Sequence, residues 1–470
     1  MRKYVYSIAI ILILALSLTD IFMSSCKSHS FKSENLMDSI DFKKSMPEWA
    51  KDCNIYEVNT RQYTPEGTFA AFQKQLPRLK AMGVDIIWMM PINPIGEKNR
   101  KGKLGSYYAV KDYTAVNPEY GTEADFKNLV AEAHKLGMHV IIDWVANHTS
   151  WDNVWIKPHS DWYTKDSLGN IIIPKGTDWE DTADLNYDKP ELRKALIDAM
   201  KYWVKNTDID GFRCDVAFMI PISFWQHARK AIDELKPNCF FLAEAGEPII
   251  HRAFDMTYDW PLKDTINAIA KGKMNVTALV KHFADENKKF KPEDLRMQFI
   301  TNHDMNTWDG SEYERLGDKA VDAFNVLIYT VPGMPLTYTG QEEPLKKRLK
   351  FFDKDTVSFG KFEREELLTK LNQLKKNNKT LWNLNYGGDF TILKNTNPKT
   401  IFCFVRSKDD DKILCLFNFS NKEQTFRIEN KIQEKFYPHI GEKLIISTNS
   451  EYKLKAWGYS VLSTAHLITK

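Results

Sequence analysis

The sequence predicts a (β/α)8 TIM barrel of the α/β class, with a short subdomain inserted after the third strand and an all-β sandwich at the C-terminal end. Three observations predict it. Between Cys53 and about Tyr338, eight short apolar runs alternate with amphipathic stretches, the pattern of repeated strand and helix units. Residues 149–187 carry Trp151, Trp155, Trp162 and Trp179 with little helical period, too long for a plain connection. Beyond a last helix near Glu365 to Asn377 the pattern changes to alternating strands and turns. The expected divisions are therefore a barrel over 48–377, with its insertion at 149–187, and a β domain over 378–470.

The elements follow in order. Arg2 and Lys3 precede an apolar run from Tyr4 to Leu18 that leads to Met23-Ser24-Ser25-Cys26. The run is too short for a comfortable membrane span and reads as an export signal over 1–25. A Cys directly after small residues resembles a bacterial lipoprotein signal, in which Cys26 becomes the lipidated first residue; an ordinary signal peptide cleaved nearby is the alternative. Residues 26–47 are polar and lack apolar period, as in a tether. The expectation is an exported chain, lipid-anchored in the bacterial envelope, periplasmic or at the cell surface, and monomeric.

The eight expected strands are CNIYEV (53–58), VDIIWMM (84–90), MHVIID (138–143), DGFRCD (210–215), CFFLAE (239–244), AFDMT (253–257), MQFIT (297–301) and PLTYT (335–339). Several are apolar on both faces, as a parallel strand covered by helices outside and side chains inside requires. Between them, Phe69, Phe72, Leu76, Leu79 and Met82 recur at helical spacing, and Thr122 opens a helix that Gly137 closes. The tryptophans of the insertion suit either a local core or sugar-stacking platforms. In the tail, DFTILKN, TIFCFVR, KILCLFNFS, QTFRIE and GYSVLS read as strands.

Composition excludes several classes. With 470 residues, 43% hydrophobic, 27% charged and thirteen Trp, the chain is globular, neither disordered nor a coiled coil. Lys plus Arg number 65 against 62 Asp plus Glu, so no electrostatic footprint for nucleic acid exists. After Cys26 the cysteines are Cys53, Cys214, Cys239, Cys403 and Cys415, an odd number that argues against a disulfide framework. Cys403 and Cys415 flank Lys408-Asp409-Asp410 in what reads as a hairpin, where they could face each other; they are read as free, packed thiols.

Chemistry enters where acidic residues meet strand ends, because active sites of this barrel form at the C-terminal mouth of its strands. Asp143 ends the third expected strand, Asp215 the fourth and Glu244 the fifth, and Asp304 follows the seventh, accompanied by Asn147, His148, Arg213, Asn302 and His303. Four carboxylates converging on one mouth repel and shift one another's pKa, which is poor design for stability. Adjacent strands lie about 4.8 Å apart, so Asp215 and Glu244 suit the roughly 5 Å separation of a retaining glycosidase. Arg213 points the same way as Asp215 and suits holding it ionised as a nucleophile. Glu244 has no arginine near it in sequence and is expected in a drier place that raises its pKa toward that of a general acid.

These residues resemble the α-amylase family of glycoside hydrolases. Asp143-Trp-Val-Ala-Asn147-His148 is similar to its first motif and Gly211-Phe212-Arg213-Cys214-Asp215 to the one bearing the nucleophile. Glu244 in FLAEAGEP matches the acid/base position, and Phe299-Ile-Thr-Asn302-His303-Asp304 the motif with the third carboxylate. Asp184-Leu185-Asn186, Gly333-Met334-Pro335 and Tyr108 in GSYYAVKDY also fit. The signal lies in their order and their placement at strand ends.

The resemblance implies a catalytic set of Asp215, Glu244 and Asp304 acting by double displacement on starch-like α-1,4-glucans or maltooligosaccharides, as an α-amylase-type endo-hydrolase. It implies that His148 and His303 hydrogen-bond the substrate sugar, that Asp143 and Arg213 belong to the substrate-binding set, and that Tyr108 stacks on the ring. The core reading of Tyr108 and a loop-capping role for Asn147 and His148 are the bland alternatives. Asn147 and Asp184 match calcium-ligand positions. Two oxygens are few, however, for an ion that takes about six to eight, and Val216-Ala217-Phe218-Met219 replaces the Lys-His pair common after the nucleophile. No cofactor is therefore expected firmly beyond possible Ca2+. A cyclomaltodextrinase or neopullulanase, an α-glucosidase and a transglycosylase stay open within the family; a non-catalytic glucan-binding lipoprotein stays open outside it.

Overall fold

The computed structural model describes residues 46–447 and 450–464. The expected signal segment, Cys26 and all but the last two residues of the expected tether lie outside the described residues. The described residues belong to one compact unit. Among the described residues, no helix is long and apolar enough to cross a membrane.

In chain order the strands of the first part are β1 (Ile55–Val58), β2 (Ile86–Met89), β3 (His139–Trp144), β4 (His148–Ser150), β5 (Thr182–Asp184), β6 (Gly211–Cys214), β7 (Phe240–Ala243), β8 (Met256–Tyr258), β9 (Leu295–Gln298) and β10 (Met334–Tyr338). Eight of them close a parallel barrel in the order β1-β10-β9-β8-β7-β6-β3-β2. β4 and β5 pair with each other and open and close the insertion.

Alternation along each strand explains both layers of the core. Ile55, Ile86, Trp88, Ile141, Phe240 and Leu242 point into the barrel and pack together. Tyr56, Ile87, Val140, Phe212 and Phe241 point outward into the larger cluster beneath the helices. The inward parity therefore also carries Glu57, Asp143, Arg213 and, just past the strand ends, Asp215 and Glu244. Gly211 is required where β6 passes β7: a Cβ there would lie 1.9 Å from the Phe240 carbonyl oxygen.

Two strands differ from the sequence reading. The sixth runs over Met256–Tyr258 instead of 253–257, and the seventh over Leu295–Gln298 instead of 297–301. Met256 pairs with Leu295 and Thr257 with Arg296, so closure of the barrel, rather than the most apolar window, sets the register. Phe299–Thr301 then lead the chain into the mouth. The expected helix over 69–82 is broken into Phe69–Gln73 and Leu76–Ala81, with Pro77 in the first turn of the second piece. The helix Glu123–Lys135 has the expected start, a capping box between Thr122 and Asp125.

The tail is antiparallel: β11 (Asp389–Ile392), β12 (Ile401–Lys408), β13 (Asp411–Asn418), β14 (Gln424–Phe426), β15 (Tyr437–Gly441), β16 (Tyr452–Leu454) and β17 (Tyr459–Ser463). A five-stranded sheet in the order β11-β12-β13-β17-β15 packs one face against the β14–β16 pair. Its other face packs on the barrel's helices, with Phe324 stacked on Phe419 at 4.7 Å and buried Arg406 donating to the Thr330 carbonyl at 3.3 Å. β15 and β16 carry too few apolar residues for the sequence to announce them. Cys403 pairs in register with Leu416, and Cys415 with Phe404. That offset of one residue turns the two thiols to opposite faces of the sheet, and all five described cysteines are free and buried.

Candidate active site

At the C-terminal mouth, β6 and β7 run in register with Arg213 beside Leu242 and Cys214 beside Ala243. Asp215 and Glu244 follow as the next level of two adjacent strands. One guanidinium organises the floor beneath them. Arg213 Nη1 donates to Asp143 Oδ1 at 2.8 Å and to Asp215 Oδ1 at 3.0 Å, and Nη2 lies 2.9 Å from Glu244 Oε2. Its Nε donates to the Tyr258 hydroxyl at 3.2 Å, and its plane lies over Trp88 at 5.1 Å.

Here the structure corrects the reading of Glu244. Sequence put it away from any arginine and in the drier position. Barrel closure brings Arg213 to it, and its side chain is 13% exposed against 10% for Asp215. The backbone N–H of Val216 also donates to Glu244 Oε2 at 2.8 Å. Val216 achieves this at φ 36°, ψ 45°, a left-handed conformation that a β-branched residue adopts only when its surroundings impose it. Against the expectation that Arg213 holds it ionised, Asp215 has its pKa raised well above the ordinary range by burial, with Arg213 opposing and Glu244 and Asp143 adding to the rise, so its attack as a carboxylate requires loss of that proton.

A second chain of contacts crosses the mouth. Glu57 Oε1 lies 2.5 Å from His303 Nδ1, His303 Nε2 lies 2.7 Å from the Tyr108 hydroxyl, and that hydroxyl donates to Asp143 Oδ2 at 3.1 Å. His303 Nε2 is also 3.3 Å from Asp304 Oδ2. Burial opposes charge on His303, yet the Asp304 and Glu57 carboxylates hold its pKa well above the ordinary value. A protonated imidazole donates from both nitrogens, which suits an acceptor at each end. Partial burial raises the pKa of Asp304, but the His303 cation outweighs it and the carboxyl is lowered.

Above this floor opens a cavity of about 540 Å³, into which Tyr108, His148, Asp215, Glu244, Asp304 and Trp308 project. Asp143, Arg213 and His303 lie beneath it, none more than 1% exposed. The expected substrate-binding set thus divides: Tyr108 and His148 face the cavity, and the other three position the groups that do. Sequence reasoning missed Glu57, Trp88 and Tyr258 below the cavity and Trp308 above it. Glu57 alone carried a signal, a carboxylate at an inward position of an apolar strand. Of the insertion's tryptophans, Trp155 and Trp162 pack edge to face at 5.4 Å as local core, whereas Trp179 faces the cavity beside His148.

Asn147 and Asp184 come together at the β4–β5 pairing, where His148 opposes Asp184. Asn147 spends its amide on His148 Nδ1 at 3.3 Å. The pair brings two side chains of the expected calcium positions to one place, where the ion takes about six to eight oxygens. A set that gathers elsewhere, Asp259, His282 and Glu286, already holds a cation: Arg296 Nε donates to Glu286 at 2.9 Å and Nη2 lies 3.9 Å from Asp259.

His148 is buried and its pKa is lowered to about 4 by that burial. The unfolded chain therefore binds a proton that the folded one does not as pH falls from about 6.5 to about 4, and roughly 3 kcal/mol of stability is lost across that window. In His148→Gln the fall of Tm between these pH values is expected to flatten relative to the native protein. An unchanged slope would show that His148 is not held neutral.

Comparison with known proteins agrees with this geometry. Residues 28–379 match the family described as "Alpha amylase, catalytic domain". Alpha-amylase 3 of Dictyoglomus thermophilum is 25% identical over 461 residues, spanning 82% of this chain and 88% of that protein. The solved alpha-amylase from Lactobacillus plantarum is 29% identical with a TM-score of 0.78, covering 88% of this chain and 99% of that one. A noncanonic maltogenic alpha-amylase from Thermotoga neapolitana, also 29% identical, has a TM-score of 0.77 and covers 88% and 97%.

Proposed function

The chain belongs to the alpha-amylase family of glycoside hydrolases, and we propose that it hydrolyses α-1,4-glucosidic bonds of starch-like glucans or maltooligosaccharides by double displacement. The observation that carries this reading is the single Arg213 guanidinium joining Asp215 and Glu244 at neighbouring strand ends beneath one cavity. Neighbouring strands set the two carboxyl groups near the roughly 5 Å that leaves no room for an intervening water, which favours direct attack by one of them.

Asp215 Oδ attacks the anomeric carbon while Glu244 gives its proton to the departing glycosidic oxygen. The sugar is then held as an ester on Asp215. Water enters, Glu244 removes its proton, the ester bond breaks, and the α configuration is restored. Asp304, charged beside His303, binds hydroxyls of the sugar just before the scissile bond. Tyr108 and His148 complete that ring's enclosure. Asp143, Arg213 and His303 are positioning residues in this scheme, since they lie below the surface the sugar meets. Export and a lipid anchor at Cys26 belong to the same reading and rest on the N-terminal run alone; action as a monomer is part of the proposal. Cys26→Ser is expected to move the full chain from the membrane fraction to the soluble one.

The test is proton NMR of maltoheptaose hydrolysis. Newly formed α-anomer with shorter maltooligosaccharides supports retention; initial β-anomer overturns the pairing of Asp215 with Glu244. Binding without turnover favours the non-catalytic glucan-binding alternative.

A further inference from the structure

The loops around the mouth are not equally tall or independent. The loop after β2 and the loop after β10 are tied through their backbones. Leu104 N–H donates to the Phe352 carbonyl at 2.9 Å and Lys103 N–H to Asp353 Oδ1 at 3.1 Å. At Gly102 a Cβ would stand 2.5 Å from Phe352 Cβ, so the two loops touch with no space between. Arg61, 2% exposed, holds both from below, donating to the Gly105 carbonyl at 3.1 Å and the Phe351 carbonyl at 3.2 Å.

The same wall continues on either side. Toward β3, Lys101 Nζ donates to the Asp178 carbonyl at 2.8 Å and lies 3.8 Å from Asp181, which joins the β2 loop to the insertion. Toward β9, Leu349 N–H donates to Asn306 Oδ1 at 2.8 Å and Arg348 to the Trp308 carbonyl at 3.2 Å, while the Trp308 and Phe351 rings meet at 5.3 Å. In barrel order β9, β10, β1, β2 and β3 are consecutive, so the wall is unbroken over five strand ends. Among the described residues, the contacts that build the wall do not extend to β6 or β8, after which the chain enters helices at Ile222 and Trp260.

The wall stands on a definite side of the reaction. Tyr108, His303 and Asp304, which hold the sugar that becomes attached to Asp215, lie against it. Glu244 follows β7, four strands from β1 around the barrel and outside the wall's five strand ends. We propose that the wall blocks the glycone side of the site, so that the enzyme acts from non-reducing chain ends and releases short sugars, while the departing chain leaves over β6 to β8. The inference rests on the hydrolase reading above and revises the endo-action that the sequence resemblance implies.

The experiment compares p-nitrophenyl maltoheptaoside with the same substrate blocked at its non-reducing end, both read by chromatographic separation of the products with no coupling enzyme present. Turnover of the free-ended substrate with a loss of about 10²-fold or more on blocking is expected, since a blocked end must fit against a closed wall. Equal rates on both would overturn the wall's role and leave the hydrolase reading standing. No turnover of either would overturn the hydrolase reading and the inference with it. A variant with residues 98–104 replaced by two glycines, and Lys101→Ala as the milder change, are expected to regain turnover of the blocked substrate. Folded variants that gain none would also overturn the proposal.

Discussion

Asp215→Asn is expected to lower kcat on maltoheptaose by about 10⁴-fold or more, because the amide occupies the same space but cannot form the sugar ester. The fold is expected to survive. Arg213 retains Asp143 and Glu244 as partners, which lie at 2.8 Å and 2.9 Å in the native protein. The sign of the stability effect follows from burial, which raises the folded pKa of Asp215 well above that of the unfolded chain. Between those two values the native state binds more protons, so any stability this group contributes is present at low pH and lost as pH rises through the folded value. At neutral pH a buried acid whose pKa folding has raised is thus a burden that asparagine removes, and Tm is expected to stay level or rise. Calorimetry and a reducing-sugar assay on the same preparation check both halves. Residual turnover above a few per cent in pure protein would remove Asp215 from the nucleophile's position.

Arg213→Met is expected to be the most destabilising single change in the mouth. It leaves Asp143, Asp215 and Glu244 facing one another without the cation that now touches all three. Breaking a buried ion pair by removing one partner costs roughly 3–5 kcal/mol, a large share of the 5–15 kcal/mol that typically separates folded from unfolded states. Protonating the orphaned carboxylates relieves the repulsion, so the deficit is expected to shrink as pH falls. Arg213→Lys keeps a charge but offers a compact ammonium in place of a planar fork, and cannot serve Asp143, Asp215, Glu244 and Tyr258 together. Urea unfolding at neutral and acid pH, beside kcat/KM, distinguishes the cases. A methionine variant as stable as the native protein at neutral pH would mean that the carboxylates are neutral without the arginine.

Much of this molecule was legible before its structure. Period-two alternation is local, so the inward parity of Asp143, Arg213, Asp215 and Glu244 could be read from the apolar neighbours on their own strands. Helix starts such as Thr122 with Asp125 were equally local. Register was less so: the seventh strand was expected two residues late, since the apolar window Met297 to Thr301 continues past the point where pairing with β8 ends. The facing of Cys403 and Cys415 turned on a single residue of hairpin register that symmetry in the sequence did not reveal.

The sequence by itself determined the alternation of inward and outward residues on six of the eight strands and in what order the acidic groups reach the mouth, because strand alternation and strand-end position depend on neighbours in the chain. Tertiary structure alone decided which of them share a counter-ion and which loops meet around the mouth. Arg213 reaches Glu244 only when β6 lies beside β7, Glu57 meets His303 across 246 positions of sequence, and Lys103 meets Asp353 across 250. Contacts of that span leave no local pattern, since a side chain's partner is set by the closure of the barrel and not by the residues on either side of it.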